Sequence, residues 1–263
     1  MSSVEALNVE RHDGVVTVTM NRPEKKNAAN GMMFEELLAI FREIKGSPSD
    51  RCMVLTGAEG NFCTGADLSD SRGATMDLGI PAIVRMRRLN EVAMSLYDLP
   101  IPTIAKVDGM AVGAGMSLAL GCDLLIAAET ARFSMIFSRR GLSPDMGASW
   151  LLPRRVGEAK AKELMLLADI IDAAEGERLG FVNRVIPTAD LDHEVADLAQ
   201  RLATGPSLAY GLTKTLIHES STASFAQSLE SEGRAQALNF ASEDTIEAMR
   251  AFLEKRDPNF KGR

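Results

Sequence analysis

Strand-like and helix-like hydrophobic patterns alternate over about the first 155 residues, and this alternation constrains the fold more than any other feature of the chain. Apolar and polar residues alternate on both sides of the turn signal Asp13-Gly14, which predicts a β-hairpin. The predicted strands are Leu7–Arg11, Val15–Met20, Cys52–Thr56, Thr103–Val107, Leu124–Ala128 and Arg132–Ile136, and the predicted helices are Met32–Ile44, Ile80–Leu99 and the second part of Gly109–Gly121. Strands separated by helices predict an α/β fold.

Beyond about residue 155 the pattern becomes almost entirely helical. Helical spacing recurs in Ala159–Ala168, Ala173–Leu179, Leu191–Ala203, Ser207–His218, Ala223–Phe240 and Glu243–Leu253, and Phe181–Ile186 is the one late strand candidate. A chain of 263 residues is long for a single domain. We therefore predict a core over residues 1–200 and a helical C-terminal region over residues 201–263.

The residue types that usually carry metal or nucleophilic chemistry are scarce. The chain has three His and three Cys, none at a metal-ligand spacing, so we predict no metal site. Scattered cysteines, the lack of a leader-like N-terminus and the lack of an apolar run of roughly 18 residues predict a cytoplasmic protein that does not enter a membrane. A formal net charge of −7 argues against a nucleic-acid partner.

Three segments that follow predicted strands combine small, polar and basic residues. They are Asn21–Ala28, Gly60–Leu68 and Val107–Gly115. Glycines in the last two let a ligand approach the backbone, and backbone N–H groups there can form an oxyanion hole, helped by the dipole of the helix that starts near Gly113. The first segment supplies Arg22, Lys25 and Lys26, which can bind phosphate. The glycines do not complete a dinucleotide fingerprint, because Leu118 stands at its last position.

In these three segments the chain resembles the crotonase, or enoyl-CoA hydratase/isomerase, superfamily. The likeness extends to the run Gly141–Gly157 and to the tail Phe252–Arg263, so it covers nearly the whole chain. The resemblance implies a spiral of ββα units with a helical C-terminal trimerisation region, in a homotrimer or homohexamer. It also implies an enzyme of fatty acid metabolism whose substrate is an acyl-CoA thioester, with no separate cofactor because CoA enters as part of the substrate.

The resemblance implies site residues position by position. The backbone N–H groups of Ala66 and Ala114 match those that hold the thioester oxygen, and position 114 is alanine where the family commonly has glycine. The positions that match CoA-binding residues are Arg22, Lys25, Ala28, Thr64, Leu68 and, reaching the CoA of a neighbouring subunit, Lys261.

Two departures from the family pattern bear on the reaction. Hydratases of the family use two Glu to activate water, and this chain has Ser117 and Phe137 at the matching positions. Neither side chain acts as a general base near neutral pH. Asp145, after Pro144, matches instead the catalytic Asp of isomerases in the family, including the ring-forming isomerase of phenylacetate breakdown.

We therefore predict a double-bond isomerase in which Asp145 is the base and the oxyanion hole stabilises a dienolate. Phe137 is expected to form an apolar wall that excludes water, and Trp150 to line the acyl site. Burial against Leu142, Met146 and Trp150 is expected to raise the pKa of Asp145. The alternatives are an enoyl-CoA hydratase with a non-standard base, a non-catalytic acyl-CoA-binding protein and a trimeric scaffold. A nucleophilic Asp145 acting on haloaromatic thioesters ranks lower, because no His lies in a matching motif.

Overall fold

The computed structural model describes residues 6–69 and 81–263 of the chain. Its strands form two sheets, one of six strands in the order β1-β2-β3-β4-β6-β9 and one of three in the order β5-β7-β8. In the large sheet β1 and β2 form the predicted antiparallel hairpin, and all other neighbours are parallel. The strands are β1 (Leu7–His12), β2 (Val15–Met20), β3 (Cys52–Gly57), β4 (Thr103–Val107), β5 (Met110–Val112), β6 (Leu124–Ala128), β7 (Arg132–Ser134), β8 (Ile171–Asp172) and β9 (Arg184–Ile186).

Helices cover both faces of the large sheet. Their bounds are α1 (Gly31–Gly46), α2 (Ala82–Tyr97), α3 (Ala114–Gly121), α4 (Ala148–Val156), α5 (Glu158–Leu167), α6 (Ala173–Leu179), α7 (Leu191–Ala203), α8 (Ser207–Ser220), α9 (Phe225–Phe240) and α10 (Glu243–Glu254). Alternate residues of β3 reach two different cores: Met53 and Leu55 pack with α1–α6, whereas Cys52 and Val54 pack with α7. This follows from the two-residue period of a strand that is buried on both faces.

The parallel pairing positions the site. Because β2, β3 and β4 run in the same direction, the segments that follow them meet at the carboxyl edge of the sheet. The first of these segments leads into α1, which begins where the side chain of Asn30 accepts a hydrogen bond from the backbone N–H of Met33 at 2.9 Å. Three strand-following segments that are far apart in sequence thus share one edge.

Several boundaries differ from the sequence prediction. The strand predicted over Arg132–Ile136 ends at Ser134 and is followed by a 3₁₀-helix, and only the second half of Phe181–Ile186 is a strand. Helix α4 forms where no helix is predicted, because Pro153 inside it interrupts the helical pattern of the sequence. Ile80, the first residue of the helix predicted over Ile80–Leu99, lies outside the described residues.

The division at residue 200 stays a prediction. Helix α7 spans it, and Ala199 and Ala203 both pack into the core beneath the large sheet. All three cysteines are unpaired and buried. Within residues 6–69 and 81–263, no helix has the length and apolar character needed to cross a membrane.

Candidate active site

Two glycine-containing segments, Cys63–Asp67 and Val112–Met116, lie against each other at the carboxyl edge of the large sheet; we call them the small-residue segments. Backbone hydrogen bonds fix their register. The N–H of Cys63 donates to the carbonyl of Met110, and the N–H of Val112 donates to the carbonyl of Cys63, both at 2.9 Å. The two segments therefore behave as one short parallel bridge rather than as independent loops.

Close packing across this bridge depends on glycine. A Cβ atom on Gly115 would overlap the carbonyl oxygen of Cys63, so no side chain fits there without movement of the backbone. A Cβ on Gly65, whose φ is +95°, would lie 3.6 Å from the backbone nitrogen of Ala114. The amides that follow Gly65 and Gly113 are thus held near each other by backbone contacts alone.

Two backbone N–H groups at this contact have no internal acceptor. The bonds around Ala66 join its neighbours to Ala29, since Ala29 donates to Gly65 and accepts from Asp67. The N–H groups of Ala66 and Ala114 donate to no atom of the described residues. Ala114 begins α3, where the helix dipole favours negative charge. Two converging free donors of this kind suit a developing oxyanion.

A buried asparagine connects the first polar segment to the small-residue segments. The side-chain nitrogen of Asn27 donates to the carbonyls of Ala58 and Asn61 at 2.8 and 2.6 Å, and its oxygen accepts from the N–H of Arg22 at 2.9 Å. Asn27 is fully buried and has a φ of +57°. Sequence reasoning missed this role, and the only signal for it is an asparagine, which tolerates such a backbone, inside a polar loop.

The cations expected to bind CoA are placed differently from one another. Arg22 donates to Asp67 at 2.9 Å and to the carbonyl of Ala28 at 2.6 Å, so its charge is already engaged. A hydrogen bond from the Ser69 hydroxyl, and then the Arg22 guanidinium, lower the pKa of Asp67 to about 2. Lys25 is exposed, contacts Ser69 at 3.4 Å, and forms no ion pair within the described part of the chain. Lys25 is thus the more available of the two.

The remaining residues expected to contact CoA are only partly gathered. Thr64 lies beside the first segment, with its hydroxyl 3.3 Å from the carbonyl of Lys26, and the nearby side chain of Leu68 is 53% exposed. Ala28 is half-buried. Lys261 lies in the C-terminal tail, where its backbone N–H donates to Asp244 of α10. Its expected contact with the CoA of another subunit stays a prediction.

Asp145 precedes α4 and carries the site's most perturbed carboxyl group. Its Oδ1 is buried and has no hydrogen-bond partner among the described residues. Burial raises the pKa of Asp145 to about 6, opposed by its own backbone amide. Of the side chains expected to bury it, only Met146 is itself buried, whereas Leu142 and Trp150 are 53% and 37% exposed.

A cavity of about 320 Å³, which we call the apolar cavity, is lined in part by Met146 and Gly147, the two residues that follow Asp145. Almost all of its wall is hydrocarbon, from α2, α3 and the start of α4. The lining residues are Ala93, Met94, Leu96, Tyr97, Ser117, Leu118, Gly121, Met146, Gly147, Trp150 and Leu151. Trp150 thus lines a cavity, as expected. Sequence reasoning missed Tyr97, whose ring meets Trp150 edge to face with centroids 5.6 Å apart.

The residues at the two hydratase Glu positions have other roles. Ser117 lines the apolar cavity, but its hydroxyl donates to the carbonyl of Gly113 at 3.2 Å within α3. Phe137 is 5% exposed and belongs to the main core. It approaches Gly113 from outside the apolar cavity, so it backs the small-residue segments rather than lining that cavity. Within the described residues no carboxylate lines the apolar cavity itself, and Asp145 directly precedes its lining residue Met146 in the chain.

This arrangement suits proton transfer next to a carbonyl group. Two N–H donors can stabilise an enolate oxygen, and a carboxyl group with a pKa of about 6 can both accept and return a proton near neutral pH. The apolar cavity next to it can hold a hydrocarbon chain.

Comparisons with known proteins agree with this geometry. A family model described as enoyl-CoA hydratase/isomerase matches residues 10–263. The 1,2-epoxyphenylacetyl-CoA isomerase of Escherichia coli K12 is 39% identical over 254 residues, which cover 95% of this chain and 96% of that protein. A Rhodobacter capsulatus protein named probable enoyl-CoA hydratase is 38% identical over 261 residues, 99% of this chain and 100% of that protein. The crystal structure of an enoyl-CoA hydratase from Bacillus anthracis superposes with a TM-score of 0.92 at 30% identity, covering 98% of this chain and 100% of that one.

Proposed function

Because the chain belongs to the enoyl-CoA hydratase/isomerase family, we propose that it moves the double bond of an unsaturated acyl-CoA. Membership confirms the predicted superfamily and the crotonase-like α/β fold, and the chain is an acyl-CoA enzyme of hydratase or isomerase type. One observation carries the choice of isomerase. Asp145 combines a partnerless buried oxygen with a pKa of about 6 beside the apolar cavity, while Ser117 and Phe137 occupy the positions of the two hydratase carboxylates.

The proposed reaction needs one base and two backbone donors. The N–H groups of Ala66 and Ala114 bind the thioester oxygen. Ionised Asp145 removes a proton from C2 of a 3-enoyl-CoA; the C–H electron pair forms a C1–C2 double bond, and negative charge collects on the thioester oxygen as a dienolate that keeps its C3–C4 double bond. Protonated Asp145 then delivers the same proton to C4. When C4 is protonated, the C3–C4 pair forms the new C–H bond, the C1–C2 pair moves to C2–C3, and the carbonyl re-forms. Atoms and electrons balance, and no water enters.

The raised pKa of Asp145 supports both halves of this cycle. A carboxyl group with a pKa of about 6 is mostly ionised at pH 7, so it is ready to accept the first proton. Its conjugate acid is weaker than that of an ordinary exposed aspartic acid, so its ionised form is a stronger base. Ser117 and Phe137 at the two hydratase positions, together with a cavity wall that has no carboxylate among the described residues, disfavour activation of a water molecule.

Hydration is the second candidate, and the name of the Rhodobacter capsulatus relative favours it. It requires a group that activates water, and in this candidate Asp145 takes that role. A binding protein without turnover is the third candidate, since both hydratase carboxylates are absent. The three candidates differ in one readout, which is the product formed from defined thioesters.

The deciding experiment gives 3-hexenoyl-CoA and crotonyl-CoA to the wild type, to Asp145→Asn and to a control, Asp169→Asn. Asp169 is an exposed carboxylate that pairs with Arg139. We expect wild type and control to form the conjugated 2-enoyl thioester at equal rates, and Asp145→Asn to be about 10²- to 10⁴-fold slower, the usual contribution of a general base. Equal isomerisation by the wild type and Asp145→Asn would exclude Asp145 as the base. Faster hydration of crotonyl-CoA than isomerisation of 3-hexenoyl-CoA would favour the hydratase, and binding without any product would favour the third candidate.

We further propose that copies of the chain assemble through the C-terminal helices. Large apolar side chains of α9 and α10 are exposed, with Phe225, Phe252 and Leu253 each about 80% accessible. Exposed apolar surface of this extent usually marks an interface. Light scattering should give three or six times the chain mass of 28.4 kDa. A stable monomer at micromolar concentration would contradict the assembly and, with it, the expected contact between Lys261 and a neighbouring CoA.

A further inference from the structure

A second cavity of about 540 Å³ adjoins the apolar cavity and shares part of its wall. The shared residues are Tyr97, Gly121, Trp150 and Leu151. Beyond them the lining becomes charged, with three cations and one carboxylate, which are Arg154, Arg155, Lys214 and Asp123. We call it the basic cavity, because it carries a local excess of positive charge in a chain whose net charge is −7.

Two of these cations are already occupied. Lys214 pairs with Asp123 at 2.7 Å and donates to the carbonyl of Ile101 at 2.8 Å. Arg155 donates to the carbonyls of Leu120 and Cys122 at 2.7 and 2.8 Å, where it holds α4 against the end of α3. Neither group is left to bind a ligand.

Arg154 differs from both. Its guanidinium stacks on the ring of Trp150 at 3.7 Å and donates one hydrogen bond, to the carbonyl of Trp150 at 3.0 Å. No carboxylate lies within 4.0 Å of it in the part of the chain that the structure describes. Stacking engages the face of a guanidinium and leaves its other in-plane N–H groups directed outward. Arg154 therefore presents an oriented donor set in the wall of the basic cavity, against Trp150 of the wall that the two cavities share.

Tyr97 adds a second polar group at the same junction. Its ring stacks on His218 with centroids 3.8 Å apart, and its hydroxyl has no hydrogen-bond partner among the described residues. Burial raises the pKa of Tyr97; the charge of Arg154 acts in the opposite direction, and the charges of Asp98 and Asp123 raise it further. The phenol and the guanidinium both contact Trp150 and both line the basic cavity.

We infer that the enzyme prefers acyl-CoA substrates whose far end carries a carboxylate, bound by the guanidinium of Arg154 and the hydroxyl of Tyr97. This inference rests on the proposed function for the orientation of the chain, with the thioester at the small-residue segments. From there the hydrocarbon crosses the apolar cavity along α4. Ala148 and Arg154 are six residues apart in that helix, or about 9 Å along its axis, so an acyl chain of medium length suffices. A free arginine is the side chain best suited to a carboxylate.

The test measures the binding of saturated thioesters, which cannot isomerise. Calorimetry compares a CoA monothioester of a straight-chain dicarboxylic acid with the methyl-ended acyl-CoA of equal length, over roughly six to ten carbons. In the wild type we expect the carboxylated ligand to bind about tenfold more tightly at the best length. Arg154→Gln should reduce this ratio to about one, and Tyr97→Phe should reduce it about threefold. Arg178→Gln, which removes an exposed guanidinium that pairs with Glu175 far from both cavities, should preserve the ratio.

Thermal melting of each variant separates loss of the preference from loss of the fold. Equal affinity of the wild type for both ligands, or an unchanged ratio in a folded Arg154→Gln variant, would overturn the inference. Because no bond changes during binding, this outcome is independent of Asp145. A wild type that isomerises 3-hexenoyl-CoA without preferring the carboxylated ligand would keep the proposed function and refute only the carboxylate site. A wild type that prefers the carboxylated ligand but does not isomerise 3-hexenoyl-CoA would keep the carboxylate site and refute the proposed function.

Discussion

The small-residue segments and the apolar cavity lie side by side, yet they are built on opposite principles. The small-residue segments act through backbone N–H groups, and their packing leaves no room for a Cβ at Gly115. The apolar cavity is formed by side chains that are partly exposed, such as Met94 and Trp150, and it has open volume. Under the proposed function, the first stabilises the oxyanion of any thioester, whereas the second selects the acyl group.

Under the proposed function, this difference explains why one carboxyl group, that of Asp145, decides which reaction follows. Backbone donors are present whatever the side chains are, so substitutions around α3 and α4 can change the reaction and leave the oxyanion hole in place. Asp145 directly precedes Met146, which lines the apolar cavity. Its buried oxygen has no partner among the described residues, which costs stability; under the proposed function, the same burial makes Asp145 a base suited to neutral pH.

The largest expected change in the free energy of unfolding concerns the small-residue segments. Gly115→Ala should lower the free energy of unfolding by about 3 kcal/mol, because the new methyl group overlaps the backbone oxygen of Cys63 and the bridge must separate. Urea unfolding measures the change. Gly46→Ala is the matched control, since Gly46 ends α1 with nothing within 4 Å of the added atom. If both variants unfold at the same urea concentration, the small-residue segments are not as tightly packed around Gly115 as the structure indicates.

A smaller change, an increase in the free energy of unfolding, is expected when Asp145 is replaced. Burial raises the pKa of Asp145 from 3.8 to about 6 in the folded chain, so the stability associated with its protonated form is complete below pH 3.8 and is lost as the pH rises through 6. At one pKa unit per 1.36 kcal/mol, and discounted for partial exposure, Asp145→Asn should stabilise the fold by about 1–2 kcal/mol at pH 7.

Unfolding curves at pH 7 and pH 5 check this prediction. The gain from Asp145→Asn should shrink toward pH 5, where the wild-type carboxyl group is itself largely protonated. A variant that is less stable than the wild type at pH 7 would mean that Asp145 has a structural role rather than a strained, functional one.

The same pKa predicts that the rate of isomerisation falls as the pH falls below 6, about tenfold per pH unit at the acid limit.

The smallest effect lies outside both regions, on the first polar segment. Lys25→Gln should raise the KM for acyl-CoA about threefold with little change in kcat, because an exposed lysine binds phosphate weakly. The increase should disappear at high salt, where exposed charges are screened. Lys26→Gln, on the neighbouring exposed lysine, is the control and should leave KM unchanged. A larger effect of Lys26→Gln would reverse the assignment of the phosphate contact.

Much of the fold follows from local patterns, and much of the site does not. The hairpin of β1 and β2 and the strand β4 are readable from alternation and short apolar runs. Helix α4 is not, because Pro153 and the glycine before Ala148 mask its period. Strand β8 has only two residues, too few for any periodicity.

The sequence predicts which residues belong to the site better than it predicts which residues they contact. Asp145 stands out by its motif, but the pairing of Arg22 with Asp67 joins residues 45 positions apart. The stacking of Tyr97 on His218 joins α2 and α8, two helices that are far apart in the sequence. Such contacts depend on how helices and strands pack in three dimensions, and local sequence patterns do not predict this packing.

The position of Trp150 has a practical consequence. It is the only tryptophan in the chain, and it lies in the wall shared by the two cavities, against Tyr97 on one side and Arg154 on the other. An acyl chain that enters either cavity must displace solvent from its indole ring. The native protein therefore contains a single, unambiguous fluorophore at its binding site, and its emission can report ligand entry in real time without any label.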